Sequence, residues 1–213
     1  MHKLTKINDY TFELFIEGEY AEQLYNCIQQ ILKSTHYEKD SNSLFFSAEH
    51  VDTLKKCLYN KRLSHMQTIR MIDHLSKQIN WLKTKNVGIY GFDLDDVLVI
   101  NGCTFILCSS QYITQLINGK LIFMTPFELP YFSNPEISSI KVLPQKVDCK
   151  CVYYSLGCLT VFSLLKEYLL VGRDFKTAKE IDIVLQPLKN TKMYWFLLRC
   201  LESNVQKRTL LLI

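Results

Sequence analysis

The stretch that most constrains this chain is "VYYSLGCLTVFSLLKEYLLVG", Val152 to Gly172, which is apolar around every side of a helical wheel until Lys166 and Glu167. A helix with no polar face has no surface to offer to water, so the rest of the chain has to wrap it. The clean run before Lys166 is too short to span a bilayer, which predicts a buried central helix and no membrane segment. At 213 residues and 48% hydrophobic, the chain has enough material to build that wrapping as a full core.

Upstream of this helix the pattern alternates between short β-rich runs and amphipathic helices. Tyr10 to Ile16 alternates as a strand ended by Gly18; Leu24, Cys27, Ile28, Ile31 and Leu32 mark a helix over Glu19 to Lys33; Ser43 to Ala48 reads as a second strand. Helical spacing then predicts a short helix over Val51 to Tyr59 and a long one from about Ser64 to Lys85, with Met66, Ile69, Ile72, Leu75, Ile79 and Leu82 on one face. Val97 to Ile100 and Thr104 to Leu107 flank Asn101-Gly102, a hairpin signal because both turn positions favour positive φ. The segment from Pro126 carries four of the five prolines and reads as loop, and the remainder reads as helical, closing on an amphipathic helix near Lys192 to Leu201.

Charge and cysteine usage narrow the function. The net charge of +4 comes from scattered basic residues with no stripe, which argues against nucleic-acid binding. The eight cysteines form no Cys-x-x-Cys pair and sit in apolar runs, and the histidines are not at ligand spacing, so they read as small buried hydrophobes in a reducing, intracellular and cytoplasmic setting. "MHKLTKINDYTFELF" has no apolar run after its basic residues, which predicts no signal peptide.

The chemistry, if any, is concentrated in "YGFDLDDVLVI", where Asp93, Asp95 and Asp96 fall within four positions. Taken alone, "FDLDDVLV" resembles the nucleophile motif of haloacid-dehalogenase-type phosphatases. That resemblance implies Asp93 as the nucleophile, Asp95 as the general acid-base and a bridging Mg²⁺. None of the acids after Asp96 forms the second acidic pair that this chemistry also needs.

The wider order of elements resembles a different family. "FSNPEI", Phe132 to Ile137, is similar to the Ala-Pro-Glu that closes a protein kinase activation segment. "VYYSLGCL" is similar to the Asp-x-Trp-Ser-x-Gly start of the kinase central helix, with Tyr154 at the tryptophan and Ser155 and Gly157 retained. "CLESNVQKRTLLL" is similar to the kinase ending, with Arg208 after Leu201. The resemblance implies an α+β, protein kinase-like domain over 1–213, with a reduced N-terminal lobe (1–48), a mainly helical C-terminal lobe (49–213), and a buried ion pair between Glu136 and Arg208.

The same resemblance implies impaired catalysis. A kinase catalytic loop reads His-Arg-Asp-x-x-x-x-Asn. Without gaps, Asp96 takes the asparagine position as a metal ligand, the base falls on Gly91, the arginine on Tyr90 and the loop lysine on Asp93. A second register makes Asp93 the base but deletes two residues before Asp96. Where Asp-Phe-Gly belongs, Cys108 to Gln111 reads "CSSQ"; Gly18 is the lone glycine of the N-terminal unit; Lys3 and Lys6 precede its first strand; Glu19 and Glu22 read as a solvated face. The expectation is a pseudokinase-like interaction or regulatory scaffold, similar to compact kinase-like proteins of large DNA viruses. It has a protein partner, with Met124, Tyr131 and Phe132 as candidate contact residues, and no nucleic-acid or membrane partner. ATP and Mg²⁺ enter only under the alternative of a divergent active kinase using Asp93 and Asp96.

Overall fold

The computed structural model describes residues 2–171 and 174–211 and is mixed α and β, with antiparallel sheets. It divides into two compact units. The first runs to Gly88 and resumes over Asp93–Ile113; the second takes Ile89–Phe92 and the chain from Thr114 onward. This division differs from one at residue 48.

The first unit opens with β1 (His2–Lys6) and β2 (Thr11–Ile16), followed by α1 (Ala21–Gln29), β3 (Thr35–Glu38) and β4 (Ser43–Ser47), in a sheet of order β1-β2-β4-β3. Alternation along β2 buries Phe12, Leu14 and Ile16 and turns Thr11, Glu13 and Phe15 outward, as a one-sided sheet requires. Tyr25 of α1 fastens helix to sheet: its hydroxyl accepts from the Ile16 amide and donates to the Asn42 carbonyl at 2.7 Å. The expected strand-helix-strand unit is therefore a four-stranded sheet, and Lys3 and Lys6 lie within its first strand rather than before it. The sequence hides β1 and β3 because both are edge strands with no fully buried residue, which leaves no apolar alternation to read.

The predicted helix over Val51 to Tyr59 begins instead as a strand, β5 (Val51–Thr53), and turns helical only in α2 (Leu54–Leu58), where Thr53 caps the first turn. β5 is drawn into a sheet by β7 (Val97–Ile100), which also pairs with β8 (Thr104–Leu107) across the Asn101-Gly102 turn. Asn101 (φ 50°) and Gly102 (φ 67°) both take positive φ, and the Asn101 carboxamide oxygen accepts from the amides of Glu49 and His50. Tertiary pairing thus overrides the weak local helical pattern of Val51–Thr53.

Between them lies α3 (His65–Thr84), started by a capping box between Ser64 and Gln67. Its buried face is rotated from the expected one: Met66 is exposed, whereas Met71, Thr68 and Gln78 are inside with Ile72, Leu75, Ile79 and Leu82. Thr68 Oγ1 donates to the Ser64 carbonyl at 2.9 Å, and Gln78 is bonded through its oxygen while its buried Nε2 has no partner among the described residues. Gln78 Oε1 accepts from the Leu107 amide at 2.8 Å and His74 Nδ1 from the Phe105 amide at 3.2 Å, so two side chains one turn apart cover the outer edge of β8.

After α3 the chain passes through β6 (Val87–Ile89) and later through β9 (Ile113–Ile117), which carry it between the units. β9, β10 (Lys120–Phe123) and, after α4 (Pro135–Ser138), β11 (Gln145–Asp148) form a sheet of order β11-β10-β9-β6. A second Asn-Gly turn, Asn118-Gly119, joins β9 to β10. Then comes α5 (Cys151–Leu165), with every residue from Cys151 to Ser163 buried; it ends where Lys166 turns left-handed at φ 63°. Burying each large apolar side chain of this helix contributes about 1.5–3 kcal/mol. The stretch after it is not wholly helical as expected: a short hairpin, β12 (Leu170–Val171) with β13 (Asp174–Phe175), precedes α6 (Ala178–Leu185) and α7 (Lys192–Cys200). No helix among the described residues is long and apolar enough to cross a membrane.

Gly157 lies where α5 packs tightly on the end of α7: a Cβ there would stand 2.9 Å from Leu201 Cδ2 and 3.2 Å from Cys200 Cβ. Replacing Gly157 with valine overpacks this contact. The expected cost is about 1–3 kcal/mol, read as a lowered denaturant midpoint with an unchanged m-value.

Candidate functional site

The first unit holds the acid loop, which is fixed by backbone hydrogen bonds from Asp96 N to Asp93 O (3.2 Å) and from Cys108 N to Asp96 O (2.8 Å). Its three carboxylates go separate ways. Asp95 forms a surface ion pair with Lys55 at 2.7 Å, both side chains more than half exposed, an arrangement worth little in energy. Asp93 accepts from the Tyr112 hydroxyl at 2.5 Å. Asp96 is 6% exposed, and its Oδ2 has no hydrogen-bond partner among the described residues.

Burial is the main reason the Asp96 carboxyl is pushed from 3.8 up to about 6; the negative charges of Asp93 and Asp95 add to it, and a hydrogen bond from Ser109 works the other way. Ser109 belongs to the "CSSQ" stretch, so the residue that meets Asp96 here is a neutral hydroxyl rather than an acid. Cys108 is wholly buried, and desolvation raises its thiol far above the usual range. Among the described residues, no group of three His, Cys, Asp or Glu side chains is placed to hold a metal ion. The donor set at Asp96 therefore does not fit the Mg²⁺ site that a kinase resemblance implies: one carboxylate is buried beside a hydroxyl, and the neighbouring acids point to other partners.

Gly91, in the second unit, bears on the base position. A Cβ built there would lie 2.1 Å from Pro130 Cγ and 2.6 Å from Pro130 Cβ. No side chain fits at this position while Pro130 stays where it is, so the loop has closed over the place where the gapless register puts the catalytic aspartate. The flanking backbone is paired: Phe92 and Phe132 exchange amide-to-carbonyl hydrogen bonds in both directions.

The second unit also brings Glu136 and Arg208 together. Arg208 Nη1 donates to Glu136 Oε2 and Nη2 to Oε1, each at 2.8 Å, a bidentate fork. The guanidinium is fully buried. Nε donates to the Glu202 carbonyl at 2.7 Å, Nη2 reaches the Ser203 carbonyl, and the Tyr154 ring lies 4.9 Å from Cζ in a cation–π contact. Ser155 accepts from Asn134 Nδ2 at 2.9 Å, and that same nitrogen donates to the Tyr90 carbonyl at 2.8 Å. Asn134 was not singled out by sequence, yet it is fully buried and also caps α4 through its Oδ1. Its position before Pro135, as an Asn N-cap with proline at the first helical turn, is the signal that marks it.

The candidate partner-contact residues divide. Met124 and Tyr131 are exposed, whereas Phe132 is buried and packs its ring 5.5 Å from that of Phe162 in α5. Phe132 is therefore core, held by its bridge to Phe92. Comparison with protein-family models and with curated proteins finds no match to the chain.

Two expectations follow. Because the Asp96 pKa is higher folded than unfolded, the native state holds this proton more tightly. The associated stability is full below about pH 4 and is lost as pH rises through about 6, a difference of about 3 kcal/mol. Asp96→Asn should remove that limb of the stability–pH curve and raise the neutral-pH denaturation midpoint. Glu136→Ala leaves the buried Arg208 charge without its carboxylate and should cost about 3 kcal/mol or more, measured by chemical denaturation.

Proposed function

We propose that this chain is a protein kinase-like domain that has lost phosphoryl transfer and acts as an interaction or regulatory module. The observation that carries the reading is a contrast. The Glu136–Arg208 fork, with the Tyr154 ring against its guanidinium, and Gly157 at the contact of α5 with Cys200 and Leu201 keep the parts that the family resemblance assigns to architecture. The positions assigned to chemistry are filled by groups that cannot perform it. Phosphoryl transfer is almost entirely positioning and charge stabilisation, so it needs a base, metal-holding acids and a phosphate-pairing lysine in place together. Here Gly91 has no room for a side chain, Ser109 meets Asp96 where a second acid is needed, and β2, the strand before α1, carries no lysine.

The element order agrees with the same reading: strands with one helix, a long helix, an acid-bearing loop, a hairpin, a short Pro-Glu helix and an apolar central helix. The setting that goes with it is the reducing interior of a cell, and the source it points to is a large DNA virus.

A divergent active kinase built on Asp93 and Asp96 is the second reading. It draws on the raised pKa and burial of Asp96, features that recur at working carboxylates. Against it stands the Tyr112 hydroxyl on Asp93, which occupies an oxygen that a base would use. The phosphatase reading has less support: Asp93 and Asp95 engage different partners, and their loop leads into an antiparallel hairpin.

Incubation with γ-labelled ATP, Mg²⁺ and a generic protein substrate is expected to give no labelled protein above the no-enzyme background. Transfer by the wild type that disappears in Asp93→Asn would establish the active-kinase reading instead. A phosphoaspartyl mimic formed with BeF₃⁻ would establish the hydrolase.

A further inference from the structure

Within the first unit, α1 packs on α3 and leaves a groove of about 360 Å³ along their outer side. Cys27 and Ile31 from the α1 end and Trp81 from α3 form its floor; Gln30, Lys77 and Asn80 stand at its rim. Cys27 Sγ donates to the Gln78 carbonyl at 3.8 Å, so the floor is fixed where the helices meet. The α3 contribution extends from Lys77 to Thr84, eight residues or about 10 Å along the axis. The groove thus spans two turns of α3, with Cys27, Ile31 and Trp81 as its apolar part and the amides of Gln30 and Asn80, which can both donate and accept, at its edge.

Lys77 is the charged residue of the lining, and the segments that contribute to it, residues 26–33 and 77–86, also carry Lys33, Lys83 and Lys85 and no acid. Lys85 Nζ lies 5.3 Å from the centre of the Trp81 ring, which puts a cation against the floor itself. The nearest acid on α3 is Asp73, one turn back, in an exposed pair with Lys77 at 2.7 Å; such a pair competes weakly with a new partner. On α1, Glu22 lies at the opposite, N-terminal end of the helix.

We infer that the α1–α3 groove takes one face of an acidic amphipathic helix from a partner protein. Apolar side chains spaced i and i+3 or i+4 rest on Ile31 and Trp81, and flanking Asp or Glu residues meet Lys77 and Lys85. A groove between two helices accepts a third helix by seating its apolar ridge, and the lysines select an anionic one. The inference rests on the interaction-module reading, since it gives that module its surface.

The test uses Trp195→Phe protein, in which Trp81 becomes the sole tryptophan and its emission reports on the groove. A displayed library of random peptides long enough to form a helix is selected on this protein. The recovered peptides are then synthesised and titrated. The expected result is enrichment of Leu or Phe at helical spacing flanked by Asp or Glu, with a shift in Trp81 emission on binding and weaker binding at high salt. Affinity should fall by at least about tenfold in Trp81→Ala. Exchange of Lys77 and Lys85 for glutamate, a change confined to exposed side chains, should invert the preference toward basic peptides, and circular dichroism verifies that both variants are folded. Recovery of neutral or basic peptides, an unchanged Trp81 emission, affinity indifferent to the two lysines, or no enrichment at all would overturn the inference. Because phosphate transfer is measured separately, a failure of the groove leaves the loss-of-catalysis reading standing, and a positive transfer assay defeats that reading whatever the groove binds.

Discussion

A guanidinium with no solvent exposure is the constraint on which the second unit depends. Arg208 is buried beside α5, a helix that offers no polar face, and its charge is tolerable only because every direction of the fork is answered. Glu136 takes two N–H groups, carbonyl oxygens of Glu202 and Ser203 take others, and the Tyr154 ring covers the flat face. Glu136 stands on α4 and Arg208 near the end of the described chain, so the pair joins segments far apart in sequence. Such a pair is weak evidence for net stability, because desolvation offsets most of the attraction. What it supplies is selectivity: only an arrangement that brings all these acceptors together can bury that charge.

The hydrogen bonds around Asn134 complete the same arrangement. Its carboxamide answers the Ile137 amide, the Ser155 hydroxyl and the Tyr90 carbonyl, fixing α4, the start of α5 and the strand-like segment at Tyr90. Pro130 then sits directly against Gly91. The same packing fills the place where the kinase-like register would put a base, beside segments that resemble that family's scaffold motifs. In the first unit, the acid loop is equally committed to structure: its backbone is tied to the end of β8, Asp95 pairs with Lys55 and Asp93 receives the Tyr112 hydroxyl.

What could be read in the sequence was what strong local patterns encode. The capped helix from Ser64, the Asn101-Gly102 hairpin and the apolar helix after Val152 all have signals longer than the noise around them. The edge strands β1 and β3 do not, because neither buries a continuous face. Asn118-Gly119 carried the same turn signal as Asn101-Gly102, with β-rich residues on both sides, and would have located β9 and β10. At the site, Glu136 and Arg208 were legible because the segments that carry them resemble motifs that pair in the protein kinase family. The obstruction of Gly91 by Pro130 was not, since thirty-nine positions separate them in the chain and only tertiary packing brings them together. The burial of Gln78 was hidden for a related reason: a polar residue enters a core when a backbone edge needs its hydrogen bond, and that edge lies elsewhere in the sequence.

The central claim is that architecture survives where metal and nucleotide handling do not. Its most direct test is an equilibrium titration of the folded protein with ATP, by calorimetry, with and without Mg²⁺. The account predicts no saturable heat that depends on the metal. A saturable isotherm that appears with Mg²⁺ and vanishes in Asp96→Asn would contradict it, because the buried Asp96 carboxylate would then be holding the metal after all.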